Sequence, residues 1–328
     1  MFVVYLLMAS LIVIPLVCLL LIFYLCDFSK AYSSGSGDGS GFVQVDLSII
    51  EFLTQHKTKT KNYATAPKEY QYYQKNVVAS KVENEVLLTY EFPLIKSKTG
   101  RVQLNLEPVE ISRQVDEYGL PMHVVDKNET GFSFAAGITE DDLRFHVNRN
   151  GWFYTNSNEF GVDFSHLYTK FQAISLKIAE QIVKQLSSTA SDDYFNRVQS
   201  ALNFVQYLPY GQPDFDTHEW YYFGLCLPPE SVVLGYADCD SKSLLFASII
   251  AHLIDKNNII IVHCDVQSDS VASRGRHATV AVAGLNVFGE MIEYEGQQYL
   301  LLETTAPVEI GKFNWHSYDL VSLHKLAS

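Results

Sequence analysis

The spacing of apolar positions changes along the chain, and the changes divide it into segments. Met1 to Cys26 (MFVVYLLMASLIVIPLVCLLLIFYLC) carries no charged side chain. As a helix rising 1.5 Å per residue it extends about 39 Å, more than the roughly 30 Å hydrocarbon core of a bilayer. Pro15 is expected to kink it, a defect that lipid-embedded helices accommodate when neighbouring groups take up the freed carbonyl. A cleaved signal peptide fits less well: the run is longer than an h-region, no basic n-region precedes it, and no small-x-small site closes it before Asp27. Tyr24 and Leu25 argue against lipidation at Cys26, where a small residue is expected ahead of the cysteine. The expectation is a retained single-pass anchor over residues 1–26. Lys30 is the flanking basic side chain and by charge bias favours a cytoplasmic soluble region. Large domains behind an anchor translocate largely regardless of charge, so the soluble part is expected on the periplasmic or extracytoplasmic side.

Residues 27–41 read as a linker, since AYSSGSGDGSG from Ala31 is the composition of flexible coil. A short helical candidate follows at Leu47 to His56, then a Lys- and Tyr-rich stretch from Lys57 to Lys75 that reads as a solvated irregular segment or a connector lying on a partner. Between Glu85 and Thr155 the apolar period shortens. VLLTYEF, RVQLNLEPVEI, MHVV, GFSFAAGI and LRFHVNRNGWFYT are β-former runs punctuated by turn residues. Asn150-Gly151 is the strongest local hairpin signal. The expectation is a β-rich accessory module over residues 42–160. The Asn128-Glu129-Thr130 sequon has meaning only in a eukaryotic secretory context.

From Ser165 the period becomes helical. Leu167, Phe171, Ile174, Ile178, Ile182 and Leu186 fall on one face, and after SSTASDD a second helix places Phe195, Val198, Leu202 and Val205 likewise. A long aromatic and acidic stretch, QPDFDTHEWYYFGLCLPPESVVLGYA, then reads as a functional loop rather than a core element. It leads into Asp238-Cys239-Asp240-Ser241-Lys242-Ser243 and the apolar run LLFASIIAHLI. Further on, NIIIVHCDV, HATVAVAG and QQYLLLETTAPVEIG read as strands.

Composition narrows the function classes. At about 150 residues per domain, 328 residues allow about two domains. With 48% hydrophobic and 19% charged residues the chain is globular rather than disordered. A net charge of -13 repels a phosphate backbone, so nucleic acid is not an expected partner. Of 5 Cys, Cys18 and Cys26 lie in the apolar N-terminus, and Cys226, Cys239 and Cys264 are too few for a disulfide framework.

Three residues carry candidate chemistry. Cys239 sits in the first turn of a helix, where unpaired N–H groups and the positive dipole end favour a thiolate and lower the thiol pKa. The bland reading is a small buried hydrophobe, which the flanking Asp238 and Asp240 make awkward, although the same acids also raise a thiol pKa. Asp238 can cap the helix. His277 opens a strand on whose one face it lies with Thr279, Ala281 and Ala283, while Ala278, Val280 and Val282 take the other. Glu303 lies inside an apolar strand on the face of Tyr299 and Leu301, where a carboxylate needs a donor such as a histidine from an adjacent strand. Together they form a nucleophile, a base and an acid that orients the base. Zinc held by Cys239, Cys264, His263 and His277 matches no familiar ligand spacing, and no cofactor motif is present.

With these residues in hand, Tyr194 to Gly311 resembles the transglutaminase-like superfamily of papain-type cysteine enzymes, in particular the bacterial and archaeal transglutaminase-like cysteine peptidases. NFVQYLPY matches the end of the preceding helix, LPPESVVLGYADCDSKSLLFASII the nucleophile helix, HATVAVAG the base strand and YLLLETTAPVEIG the acid strand. The resemblance implies a papain-like α+β domain over residues 161–328 with Cys239, His277 and Glu303 in the family's chain order. Two positions depart from the pattern: Ala237 stands where a glycine is usual before Asp-Cys, and Glu303 stands where many relatives have Asp. Neither removes a functional atom. The Cys239 N–H plus one donor from Gln206, Trp220 or Tyr221 is expected to hold the oxyanion. Trp220, Tyr221 and Tyr222 are expected either to wall the cleft or to pack. The function expected is thiol acyl transfer on a peptide or protein amide, with hydrolysis favoured over transamidation. The alternative is a catalytically silent domain that binds a peptide or protein in a membrane assembly.

Overall fold

The computed structural model describes residues 77–82, 85–95, 98–121, 125–128, 131–134, 139, 141, 151–154, 160–189, 191–211, 220–222, 224–266, 276–313 and 318–326. The expected anchor, linker, first helical candidate and Lys/Tyr-rich stretch lie outside them. Among the described residues no helix is long and apolar enough to cross a membrane.

The architecture is α+β. Strands β1 (Val77–Val82), β2 (Glu85–Pro93) and β3 (Thr99–Leu106) form an antiparallel sheet in that order. Along β3 exposed and buried positions alternate, with Val102, Leu104 and Leu106 turned inward. Helix α1 (Pro108–Tyr118) follows where a strand run was expected through Ile111. Pro108 opens the helix at a position whose N–H needs no partner, and Arg113 pairs with Glu110 and Glu117 at three- and four-residue spacing. Short pairs come next: β4 (Leu120–Pro121), β5 (Val125–Asn128) with β6 (Gly131–Phe134), and β7 (Trp152–Tyr154) with β8 (Phe160–Val162). Gly151 takes a positive φ of 85° ahead of β7. The upstream arm of the expected Asn150-Gly151 hairpin is outside the described residues.

Helix α2 (Phe164–Ser187) buries all six residues expected on its apolar face, and Asp163 caps it by accepting from the His166 N–H. Helix α3 (Tyr194–Gln206) is capped by Asp193 and buries Val198, Leu202 and Val205. Phe195, expected among them, points outward at 38% exposed. Strand β9 (Trp220–Tyr221) pairs with β4. Helix α4 (Pro228–Leu234) then interrupts the stretch read as loop, and each of its residues is buried. Helix α5 (Cys239–Ile250) is buried along its whole length except at Asp240, packed by α2 and α3 and by the main sheet.

That sheet is antiparallel throughout, with β10 (Ile259–Val266), β11 (Arg276–Ala283), β12 (Met291–Tyr294), β13 (Gln297–Leu302) and β14 (Tyr318–Lys325) in the order β12-β13-β11-β10-β14. Ile259, Ile261, Val280, Val282, Leu300 and Leu302 join the helices in one core, which also takes in Leu88, Tyr90 and Phe92 of β2. The opposite face gathers Ile260, Val262, Ala281, Ala283, Tyr299, Leu301 and Phe313 in a second cluster. The two-residue alternation expected for 277–283 is therefore realised.

Two glutamines of α2 cover the free edge of β3. Gln181 accepts from the Gln103 N–H at 2.8 Å and donates to the Gln103 carbonyl at 2.7 Å. Gln185 does the same for Arg101 at 2.7 and 2.8 Å. Side-chain amides thus take the place of a neighbouring strand and satisfy ladder groups that an edge strand leaves open.

Candidate active site

Helix α5 starts at the thiol. Asp238 is the N-cap and accepts from the Ser241 N–H at 3.1 Å, which leaves Cys239 at the first helical position with an N–H that has no intrahelical acceptor. The chain reaches this point through a parallel bridge between Tyr210 and Ala237, closed by the Gly211 N–H on the Ala237 carbonyl at 3.1 Å. Cys239 is 8% exposed, and its thiol faces the backbone N–H of Ala278 on β11, one residue beyond His277. It lies 4.0 Å from Asp240 Oδ1.

Burial pushes the Cys239 thiol well above its ordinary range, and the charges of Asp240 and Asp238 push it further, against the smaller pull of the Ala278 and Asp240 N–H groups. This corrects the expectation of a thiol pKa lowered by the helix terminus. The dipole effect is confined to the first turn and worth a fraction of the desolvation of a buried anion flanked by two acids. Burial raises Asp238 and Asp240 as well, and His277 and Arg276 draw Asp240 partly back.

His277 and Glu303 meet across neighbouring strands. His277 Nε2 is 3.3 Å from Glu303 Oε2, and the two side chains are 12% and 8% exposed. Nε2 is not aligned for a hydrogen bond within this pair. Glu303 stands one residue past the end of β13 rather than inside it, at the start of a turn. There its Oε1 accepts from the Thr305 N–H at 2.6 Å and from the Thr305 hydroxyl. Burial pushes the carboxyl up, but the His277 ring and the Thr305 donors outweigh it and hold Glu303 below its ordinary range. The His277 ring lies 5.5 Å from that of Tyr318, which stacks on Phe313 at 5.4 Å.

Gln206, an expected oxyanion donor, is committed elsewhere. Its Nε2 donates to the Glu303 carbonyl at 2.7 Å and to the Val308 carbonyl at 2.8 Å, so both amide hydrogens brace the acid turn. Trp220 and Tyr221 are the residues of β9, paired with Pro121 and Leu120; their side chains are outside the described set. Tyr222 is fully buried against Gly119 and belongs to the core rather than to a cleft wall.

Tyr210 was not anticipated. The residue is 41% exposed, and its hydroxyl lies beside the Cys239 thiol; burial and the nearby acids Asp238 and Asp240 hold the phenol protonated. Proximity to Pro209 and Gly211 at a helix end was the available signal, and it marks a turn rather than a site. Lys242, fully buried one turn after Cys239, was missed too. Of the groups weighed for zinc, Cys264 spends its thiol on the His277 carbonyl at 3.4 Å, and its pKa is pushed up to about 12 by burial. Among the described residues no group of three or more His, Cys, Asp or Glu is arranged to hold a metal.

No family model matches the chain, and no curated protein sequence matches it.

Proposed function

We propose that the chain is a membrane-anchored cysteine enzyme of transglutaminase-like type, with a papain-like domain formed by residues 161–328. It transfers an acyl group from a peptide or protein amide through a thioester on Cys239. What supports this most is the pairing of His277 with Glu303 at 3.3 Å beside a helix-terminal thiol that faces the N–H of the very next strand residue. In the reaction His277 takes the thiol proton as Cys239 attacks the carbonyl carbon. Glu303 stabilises the imidazolium, and the same proton passes to the departing amine. The Cys239 N–H and the Tyr210 hydroxyl are the donors available to the oxyanion. Water resolves the thioester, since accepting an amine instead requires water to be excluded.

One observation favours a second reading. A thiol held protonated by burial and two acids suits a silent domain that uses the same cleft to bind a peptide. Iodoacetamide labelling across pH separates the two. The enzyme reading expects Cys239 to be alkylated near neutral pH in the wild type and much more slowly in His277→Ala; identical slow labelling in both would favour the silent domain. Labelling of intact cells with a membrane-impermeant reagent reports on which side the thiol lies, where the extracytoplasmic side is proposed.

A further inference from the structure

A lysine that is 0% exposed needs a reason, because packing alone is served as well by methionine and a buried ammonium is costly unless it is paired. Lys242 lies three residues after Cys239 on α5. Its Nζ donates to the Thr305 carbonyl at 3.2 Å, and the adjacent Ser243 hydroxyl shares a hydrogen with that of Thr304 at 3.1 Å. Two successive residues of the nucleophile helix thus grip the turn whose first residue is Glu303. The charge that Lys242 faces is the Glu303 carboxylate.

We propose that Lys242 is a positioning residue of the Cys239 site, its buried ammonium holding the 303–305 turn in place and keeping Glu303 ionised opposite His277. The proposal rests on the acyl-transfer reading. The carbonyl bond needs only a donor, whereas an ionised Glu303 at 8% exposure needs compensating charge. His277 from β11 and the Thr305 donors meet most of that need, and the Lys242 ammonium adds positive charge from α5. From β10 the Cys264 thiol faces the same carboxylate, and Asp240 and Arg276 flank His277. Burial draws the Lys242 ammonium down to about 7 while Glu303 pulls it back.

The test uses the 328-residue chain and the rate of Cys239 alkylation by iodoacetamide as a function of pH. Lys242→Gln keeps a donor for the Thr305 carbonyl and removes the charge. It is expected to move the acid limb of the profile upward by about one pH unit while preserving most of the plateau rate. Lys242→Met removes the tether as well and is expected to lower the plateau by about tenfold or more. Combining Lys242→Gln with Glu303→Gln is expected to add no further shift, since the two act on one carboxylate. A purely structural lysine would instead lower the melting temperature and leave the limb in place. If neither lysine variant folds, the coupling is read in reverse: Glu303→Gln is expected to lower the pH at which the Lys242 Nζ NMR signal loses its proton. An unmoved limb in a folded Lys242→Gln, or an unmoved Nζ titration in Glu303→Gln, overturns the proposal and leaves the acyl-transfer reading standing. A wild-type thiol indifferent to His277→Ala removes both.

Discussion

Gln206→Ala separates a brace from a catalyst at one position. In the folded protein the Gln206 amide supplies hydrogen bonds to the carbonyls of Glu303 and Val308 at 2.7 and 2.8 Å. A buried carbonyl left without its donor costs about 1–3 kcal/mol. Glu303 is buried and its carbonyl takes the full penalty; Val308 is half-buried, where water replaces part of the lost bond. The sum is about 2–3 kcal/mol, a sizeable part of the roughly 5–15 kcal/mol that holds a domain folded. Urea unfolding at neutral pH is expected to show the unfolding free energy fall by that amount through a lower midpoint, with the slope unchanged. Gln206→Glu is expected to be worse, because it sets a carboxylate against two acceptors. Alkylation of Cys239 by iodoacetamide, which forms no oxyanion, is expected to change only as far as the acid turn loosens. The reasoning fails if Gln206→Ala unfolds at the wild-type midpoint yet loses about 10²-fold or more in turnover of an amide substrate, the signature of a missing oxyanion donor.

Three further outcomes follow from contacts already described. Asp240→Asn removes one of the two acids that keep the Cys239 thiol protonated, so alkylation at a fixed pH is expected to accelerate by about tenfold; an unchanged rate would show that burial alone controls the thiol. His263 and His324, with ring centroids 5.0 Å apart and Ser322 between them, are each lowered to about 4, chiefly by burial. Their stabilising contribution is present above pH 6.5 and lost as pH falls toward 4, because the unfolded chain binds protons there that the folded chain does not. Asp238 and Asp240 act in the opposite sense, so the measurable quantity is the difference between wild type and His324→Phe: wild-type stability is expected to fall relative to the variant by up to about 3 kcal/mol across that window in urea titrations. Gln181→Ala with Gln185→Ala uncovers the β3 edge and is expected to cost about 1 kcal/mol per residue, with faster hydrogen exchange at the Arg101 and Gln103 amides.

How legible each part was in the sequence depended on whether water touches it. Helix α2 shows its face because solvent lies on one side, and Leu167 through Leu186 occupy that face as their spacing requires. Helix α4 is buried all round, so Pro228 to Leu234 carry no period and pass for loop. Helix α1 was hidden by β3, whose β-formers run directly into Pro108. In the site, the partnership of His277 and Glu303 followed from the cost of burying an acid without a donor, a constraint local enough to read. The commitments of Gln206 and Lys242 were not readable, because their acceptors lie 97 and 63 residues away in sequence and a helical lysine ordinarily reads as solvated. The available hint was that no polar face surrounds Lys242 in DSKSLLFASII.

The helix that begins at Cys239 links these observations. Residues three and four apart share a helix face. Cys239 meets β11 at Ala278, while Lys242 and Ser243 meet the turn after β13 at Thr305 and Thr304. Because β11 and β13 are hydrogen-bonded neighbours, the placements of His277 and Glu303 are set by one sheet, and the placement of both against the thiol is set by one helix. A shift of α5 along its axis would therefore move the thiol and the 303–305 turn together, while the register between β11 and β13 stayed fixed. This explains why so many bonds converge on residues 303–308 although the sheet already anchors their first end. Gln206 from α3 and Lys242 and Ser243 from α5 tie the turn to the helical layer, so the carboxylate that faces His277 is located relative to the thiol and not only relative to its own strand.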